Sequence, residues 1–403
     1  MHQSLTARTR LAVARAAGAA AGAASRIMGR GQGIVVTGRV IQRIAPDALG
    51  QLSAGRSTVL ISGTNGKSTT TAMIVAALGG DVATNTTGAN MPGGVIEAYS
   101  RSSARIAVME VDELYVPFIG TATAPTVFVA LNLSRDQMDR VHEVGAVQRR
   151  WADYLEGSSA HVVANATDPH VVAAVGSRPA TWVDPGWQWR QDSIVCPRCT
   201  EVLTWESSTW SCTCGLQQPV ADYTVDGDVV RLASGASVRL ELSLPGAVNR
   251  GNAAFAIAVA QRMGLDVDVA ARRISMIDDV EGRYGSIDVG GRPARTLLAK
   301  NPAGWASLLP MLTDDDVLIV SINADAVDGL DTSWLWDVPF EALAGRTVGA
   351  HGIHRADVAL RLEVAGAHPV VDADIHRLVD RMPKGPCVIA ATYGSFETLR
   401  GRR

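Results

Sequence analysis

Apolar positions along the chain gather into short contiguous runs separated by longer mixed stretches. Ser57-Thr58-Val59-Leu60-Ile61-Ser62 is a β-rich run ending in a Gly-containing turn, and residues 68–78 after it have helical composition. That order predicts a strand, a phosphate-type loop and a helix. Runs at 105–110, 126–131 and 161–166 have the length and β-branched content of buried parallel strands, with room between them for crossover helices. The alternation predicts a doubly wound α/β domain. Residues 188–220 change character: they are rich in Trp, Ser, Thr and Cys, show little helical period, and read as a small inserted module. Helical patterns return at 252–264 and 267–277. From about Thr296 a second α/β pattern begins, with strands expected at 317–322 and 387–391 and a helix at 357–365.

A chain of 403 residues is too long for one compact core. The pattern divides it into an N-terminal helical segment (1–50), a central α/β domain (51–295) with an insertion at 190–220, and a C-terminal α/β domain (296–403). With 47% hydrophobic and 19% charged residues the composition is that of a globular protein, and a net charge of −3 gives no reason to expect nucleic acid. In the first thirty residues Arg8, Arg10, Arg15, Arg26 and Arg30 are spread through Ala/Gly-rich sequence. Arg15 interrupts what would be the apolar core of a signal peptide, so an amphipathic helix is expected instead. No apolar run approaches the ~20 residues that span a bilayer, so no transmembrane segment and a cytoplasmic location are expected.

The clearest chemistry lies in Gly63-Thr64-Asn65-Gly66-Lys67-Ser68-Thr69. Glycines let the backbone turn its N–H groups toward phosphate oxygens. Lys67 supplies charge near the β/γ-phosphates, and the Ser68 hydroxyl is placed for Mg²⁺. The following helix points its positive end at the same place. Ile61 stands where the longer form of this loop has its first Gly, leaving the shorter G-x-x-G-K-S form. ATP binding is expected.

Four of five cysteines, Cys196, Cys199, Cys212 and Cys214, fall within nineteen positions as C-x2-C-x12-C-x-C. Without an export signal such clustering favours a metal over disulfides. Four thiolates in two short knuckles suit Zn²⁺ and leave no open coordination position, so the site is expected to be structural. Cys387, in a strand-like run, reads as a small core residue, which leaves the chain without a cysteine nucleophile of its own.

These residues resemble the Mur ligases. The loop 63–69 is similar to that family's ATP loop. Further matches are Asn90 in Thr-Gly-Ala-Asn-Met, the segment 135–140, the Asn165-x-x-Asp168-Pro169 turn, the pair Asn249 and Asn252, and Arg283 in a Gly-Arg element. The cysteine cluster, residues 298–304 (Leu-Ala-Lys-Asn-Pro-Ala-Gly) and residues 328–337 (Asp-Gly-Leu-Asp-Thr-Ser-Trp-Leu-Trp-Asp) narrow the resemblance to the MurT branch. The resemblance implies a central P-loop-type ATP-binding domain with a zinc-ribbon insertion and a Rossmann-like C-terminal domain. It implies nucleotide contacts at 63–69, Asn252 and Arg283, and Mg²⁺ held by Ser68 and Glu110, with Asp112 and Glu113 as nearby candidates. The implied activity is amidation of the α-carboxylate of D-isoglutamate in the stem peptide of lipid II, through an acyl phosphate. Ammonia would come from a separate GatD-like glutaminase. Asp331 would complete that partner's Cys–His pair, with Asp328 and Asp337 as rivals, and Trp334 and Trp336 would either meet the partner or fill the core.

The chain departs from the family at Thr87 and Tyr284. It also has no equivalent of the family's modified Lys after Arg140, where Arg149-Arg150-Trp151 occurs, and this fits ammonia as nucleophile. Two other functions compete. A stand-alone amino-acid ligase of the folylpolyglutamate synthase type would use a free amino acid, and a non-catalytic nucleotide-binding adaptor would not need Lys67.

Overall fold

A computed structural model of the chain describes residues 5–29, 32–85, 88–136, 144–280, 285–323 and 331–399. It divides into two compact units. The first takes the described residues up to 133, 145–242 and 249–277, and the second takes 134–136, 144, 243–248 and the described residues from 278 on.

The first unit is built on a nine-stranded sheet. Its strands are β1 (Ser57–Ser62), β2 (Val82–Thr84), β3 (Ile106–Glu110), β4 (Val127–Ala130), β5 (His161–Asn165) and β6 (Ala180–Asp184), then β9 (Tyr223–Asp226), β10 (Val229–Leu232) and β11 (Ser237–Arg239). Between β6 and β9 stands the separate hairpin of β7 (Thr204–Glu206) and β8 (Thr209–Ser211). The sheet order is β11-β10-β9-β6-β5-β4-β1-β3-β2, parallel from β2 to β9, with β10 and β11 antiparallel at the edge. Central strands of such a sheet are covered on both faces, so their apolar residues are contiguous rather than alternating. Val59, Leu60 and Ile61 of β1, and all of β4, are buried. Above β4, Phe128 meets Trp151 edge-on at 5.3 Å. The register sets Ile61 beside Glu110 and Ser62 beside Ala130, which brings the acid of β3 to the end of β1 where the loop begins.

The amphipathic N-terminal helix expected from the sequence is a pair of helices, Leu5–Ile27 and Ile34–Ile44, followed by the short Ala48–Ser53. The pair runs antiparallel, since a Cβ at Gly18 would meet Ile41 and one at Gly22 would meet Thr37 and Gly33. Gly33, at φ 73°, supports the reversal. A Cβ at Gly38 would lie 1.7 Å from the Gly93 carbonyl oxygen, so the second helix rests on Pro92–Arg101 backbone to backbone.

The second unit has a six-stranded sheet in the order β12-β13-β17-β14-β15-β16. These strands are β12 (Ser286–Val289), β13 (Arg292–Leu298), β14 (Val317–Ser321), β15 (Thr347–His351), β16 (His368–Val371) and β17 (Cys387–Ala391). All pairings are parallel except the β12–β13 hairpin, which turns at Gly290 and Gly291 and carries this sheet ahead of Thr296. Trp305 and Phe340 centre its core, ring to ring at 5.0 Å. Cys387 is buried in β17, where desolvation raises its thiol pKa, as suits a core residue. Among the described residues no helix is long and apolar enough to cross a membrane.

Candidate functional site

The loop from Gly63 to Gly66 joins β1 to the helix Lys67–Leu78. Gly63 (φ 149°) and Gly66 (φ 86°) adopt backbone angles that side chains disfavour, and a Cβ on Gly66 would come within 2.8 Å of Asn252 Oδ1. The loop is held from the neighbouring strand end by one residue, Asn132. Its carbonyl accepts from Thr64 N (2.9 Å), its Oδ1 accepts from Asn65 N (2.9 Å), and its Nδ2 donates to Asn65 O (2.9 Å). The first-turn N–H groups of the helix have no intrahelical acceptor and form the kind of anion site that phosphates occupy.

Lys67 is buried beneath this loop. Its Nζ donates to Gly63 O, to Thr64 O (3.2 Å) and to Glu113 Oε2 (2.9 Å). Burial works against the ammonium, but Glu113, Glu110 and Asp112 outweigh it and leave the pKa above the ordinary lysine value. The ammonium therefore stays charged at neutral pH. Glu113 belongs to a single 3₁₀ turn, Glu113–Tyr115, which Asp112 caps by accepting from Leu114 N, and its backbone carbonyl accepts from the buried Trp151 indole (3.0 Å). Of the two acids named as nearby candidates, Asp112 thus caps a turn and Glu113 is the counter-ion of Lys67.

Glu110 closes β3 and is buried. Its Oε2 accepts from Ser68 Oγ (2.6 Å) and its Oε1 from Asn90 Nδ2 (3.1 Å). Asn85 grips its backbone on both sides, accepting from Glu110 N (2.9 Å) and donating to Glu110 O (2.8 Å). Octahedral Mg²⁺ at about 2.1 Å from each ligand holds neighbouring oxygens about 3.0 Å apart. Ser68 Oγ and Glu110 Oε2 are already near that spacing, so the pair fits adjacent ligand positions.

Asn249 and Asn252 are buried and bonded to one another, Asn252 Nδ2 donating to Asn249 Oδ1 (3.2 Å), and Asn252 abuts Gly66. The Asn165-x-x-Asp168 turn is a brace: Asp168 caps the helix Pro169–Val175 and accepts from Leu133 N (2.7 Å), directly after Asn132. Arg283 lies outside the described residues, as do Thr87, Tyr284 and Asp328. Asn85 and Asn132 escaped the sequence reading because a lone Asn has no signature. Their partners are 25 and 67 residues away.

The four cysteines come together in the inserted module, their Sγ atoms all within 4.8 Å of one another. Cys196 and Cys214 are 3.7 Å apart, Cys199 and Cys212 3.4 Å. Tetrahedral Zn²⁺ with Zn–S bonds of about 2.3 Å separates its sulfurs by about 3.8 Å, so the set fits that ion. Thr200 (φ 66°) and Gly215 (φ 85°) make the knuckle turns, and Leu203, Trp210 and Leu216 back the cluster.

In the second unit, Asp331 accepts from Ser333 N (2.8 Å) and Ser333 Oγ (2.9 Å) in an exposed turn before the 3₁₀ helix Ser333–Asp337. Its rival Asp337 is paired with Arg135 (2.9 Å). Trp334 packs partly into the core, whereas Trp336 is exposed beneath the Arg361 guanidinium. Lys300 pairs with Asp136, and Asn301 caps the helix Pro302–Leu308 through Gly304 N (2.8 Å).

The Mur ligase middle domain family matches residues 61–260 and the MurT ligase C-terminal family matches residues 298–396. A Streptococcus pneumoniae protein described as lipid II isoglutaminyl synthase (glutamine-hydrolyzing) subunit MurT is 30% identical, over 92% of each chain. The protein of that description from Staphylococcus aureus (strain N315) is 28% identical over 93% of this chain and 94% of its own. Among solved structures, a pseudomurein peptide ligase type C from Methanothermus fervidus shares the fold with a TM-score of 0.68 at 19% identity, covering 86% of this chain and 79% of that one.

Proposed function

The chain belongs to the MurT family of Mur-type ligases, and from that premise we propose that it is the synthetase subunit of a glutamine-hydrolysing lipid II isoglutaminyl synthase. It converts the α-carboxylate of D-isoglutamate in the lipid II stem peptide to the amide of D-isoglutamine, with ammonia from a separate GatD-like glutaminase, on the cytoplasmic side. The observation that carries this reading is the similarity over 92% of both chains, which takes in the nucleotide loop and the Asp331 segment alike.

A carboxylate oxygen leaves poorly, and ATP supplies the phosphoryl group that makes it an acyl phosphate open to ammonia. Lys67 and the backbone of residues 63–69 hold the phosphates and carry positive charge to the transferring group. Ser68 and Glu110 hold Mg²⁺, with Asn85 and Asn90 keeping the carboxylate aimed. Asn252 backs the loop, and Arg283 is assigned to the nucleotide by family resemblance. The zinc ion that Cys196, Cys199, Cys212 and Cys214 would hold is structural. Asp331 orients the partner's His and stabilises its imidazolium.

The test supplies ATP, lipid II and ammonium to the purified chain, then glutamine with the glutaminase. Amidated lipid II and phosphate release are expected in both, and Asp331→Asn should abolish glutamine use while sparing ammonium. Absence of both products with ammonium overturns the proposal.

A further inference from the structure

The N-terminal helix Leu5–Ile27 has two apolar sides, and only one is covered. Ala14, Gly18, Gly22 and Ser25 are buried against Ile34–Ile44. Opposite them Val13, Ala16, Ala20, Ala24 and Ile27 recur at three- and four-residue spacing and all face solvent, Val13 56% and Ile27 86% exposed, with Met28 just beyond at 60%. A second apolar stripe left on the surface of a helix marks a place where something else docks.

The charge around this face is one-sided. Residues 1–56 hold eight arginines and a single acid, Asp47, with no Lys or Glu, which gives +7 there against −10 for the other 347 residues of a chain of net −3. Arg8, Arg10, Arg15, Arg26, Arg39 and Arg43 are exposed, and Asp47 is already paired with Arg10. Arg8, Arg15 and Arg26 succeed one another at seven and eleven residues, which returns to within about 20° of the same side of a helix. They form a row between the covered side and the outer stripe, in which Arg15 is turned to the protein, donating to Ser100 Oγ (3.2 Å) and Ser100 O (2.7 Å), and Arg26 donates to Gln32 O (3.3 Å).

We propose that this outer face lies on an anionic lipid surface, its small apolar stripe set shallowly among the headgroups and its arginines bonded to lipid phosphates. A second copy of the chain is a poor occupant, because pairing two such segments brings two charges of +7 together. The inference rests on shape and charge, apart from the ligase proposal, and it is read by binding rather than by turnover.

The full chain is floated with vesicles of phosphatidylcholine alone and of phosphatidylcholine with phosphatidylglycerol, at low and high salt. Binding to the anionic vesicles at low salt, weakened by salt and absent from the neutral ones, is expected. The variant R8Q/R26Q should lower the partition coefficient roughly thirtyfold, and V13Q/I27Q should lower it several-fold. R377Q/R381Q, in the second unit, should leave it unchanged. Circular dichroism checks that each variant is folded. The proposal is overturned if anionic vesicles fail to float the chain, or if the two N-terminal variants float as well as the parent. It is equally overturned if vesicles are ignored while V13Q/I27Q abolishes self-association or capture of the glutaminase.

Discussion

Lys67 and Glu113 form a 2.9 Å ion pair under the nucleotide loop, both side chains largely shielded from water. The pair joins a loop lysine to an acid 46 residues later, and it supplies the counter-charge that a phosphate would otherwise bring.

Removing one partner should therefore hurt the nucleotide-free protein more than the bound one. Glu113→Gln is expected to lower unfolding stability by about 1–3 kcal/mol without nucleotide. Saturating Mg·ATP should recover much of the loss, as seen in urea denaturation with and without the ligand. Equal losses in both conditions would contradict the pairing argument. Lys67→Ala should cost at least about a hundredfold in turnover.

Ser68 and Glu110 are 2.6 Å apart and fit neighbouring Mg²⁺ positions. Ser68→Ala and Glu110→Gln should each raise the Mg²⁺ concentration needed for half-maximal rate by about tenfold or more. Titrating Mg²⁺ at fixed ATP measures this, and an unchanged midpoint would remove both residues from the ion.

Asn132 secures the loop through its side-chain amide as well as its carbonyl. In Asn132→Ala, Asn65 loses its two bonds to the Asn132 side chain and the loop loosens. The ATP dissociation constant should rise roughly ten- to a hundredfold, the equivalent of one or two lost hydrogen bonds. Calorimetric titration with ATP checks it, and wild-type affinity would show that the loop needs no such anchor.

The four clustered thiols should bind one Zn²⁺ and resist thiol reagents until it is stripped. Elemental analysis should give one zinc per chain, with four cysteines becoming reactive after chelation and Cys387 only on unfolding, since it is buried. Cys199→Ser should lose the metal and change the fluorescence of Trp205 and Trp210, which flank each other at 6.4 Å. Full reactivity of the cluster before chelation would exclude a metal.

Much was legible along the chain because its cause is local. Val59–Ile61 within Ser57–Ser62 and Cys387–Ala391 are contiguous apolar runs, and a strand covered on both faces requires that composition. The glycines at 63 and 66 and the spacing of the four cysteines declare backbone angles and ligand geometry in sequence order. The division of the N-terminal segment into two antiparallel helices was not legible, because Gly and Arg occur on both sides of the reversal and close packing selects the break.

The sequence by itself determined the nucleotide loop, the metal-type cluster, two α/β sheets and the family, since each rests on residues whose chemistry is short-ranged or whose motif is long. Only the tertiary structure decided that Glu113 neutralises Lys67, that Asn132 and Asn85 hold the loop and Glu110, and that one side of the first helix is left uncovered. The reason is geometric. Parallel strands set residues tens of positions apart side by side, and a single Asn or Glu carries no mark of the distant atom it will meet.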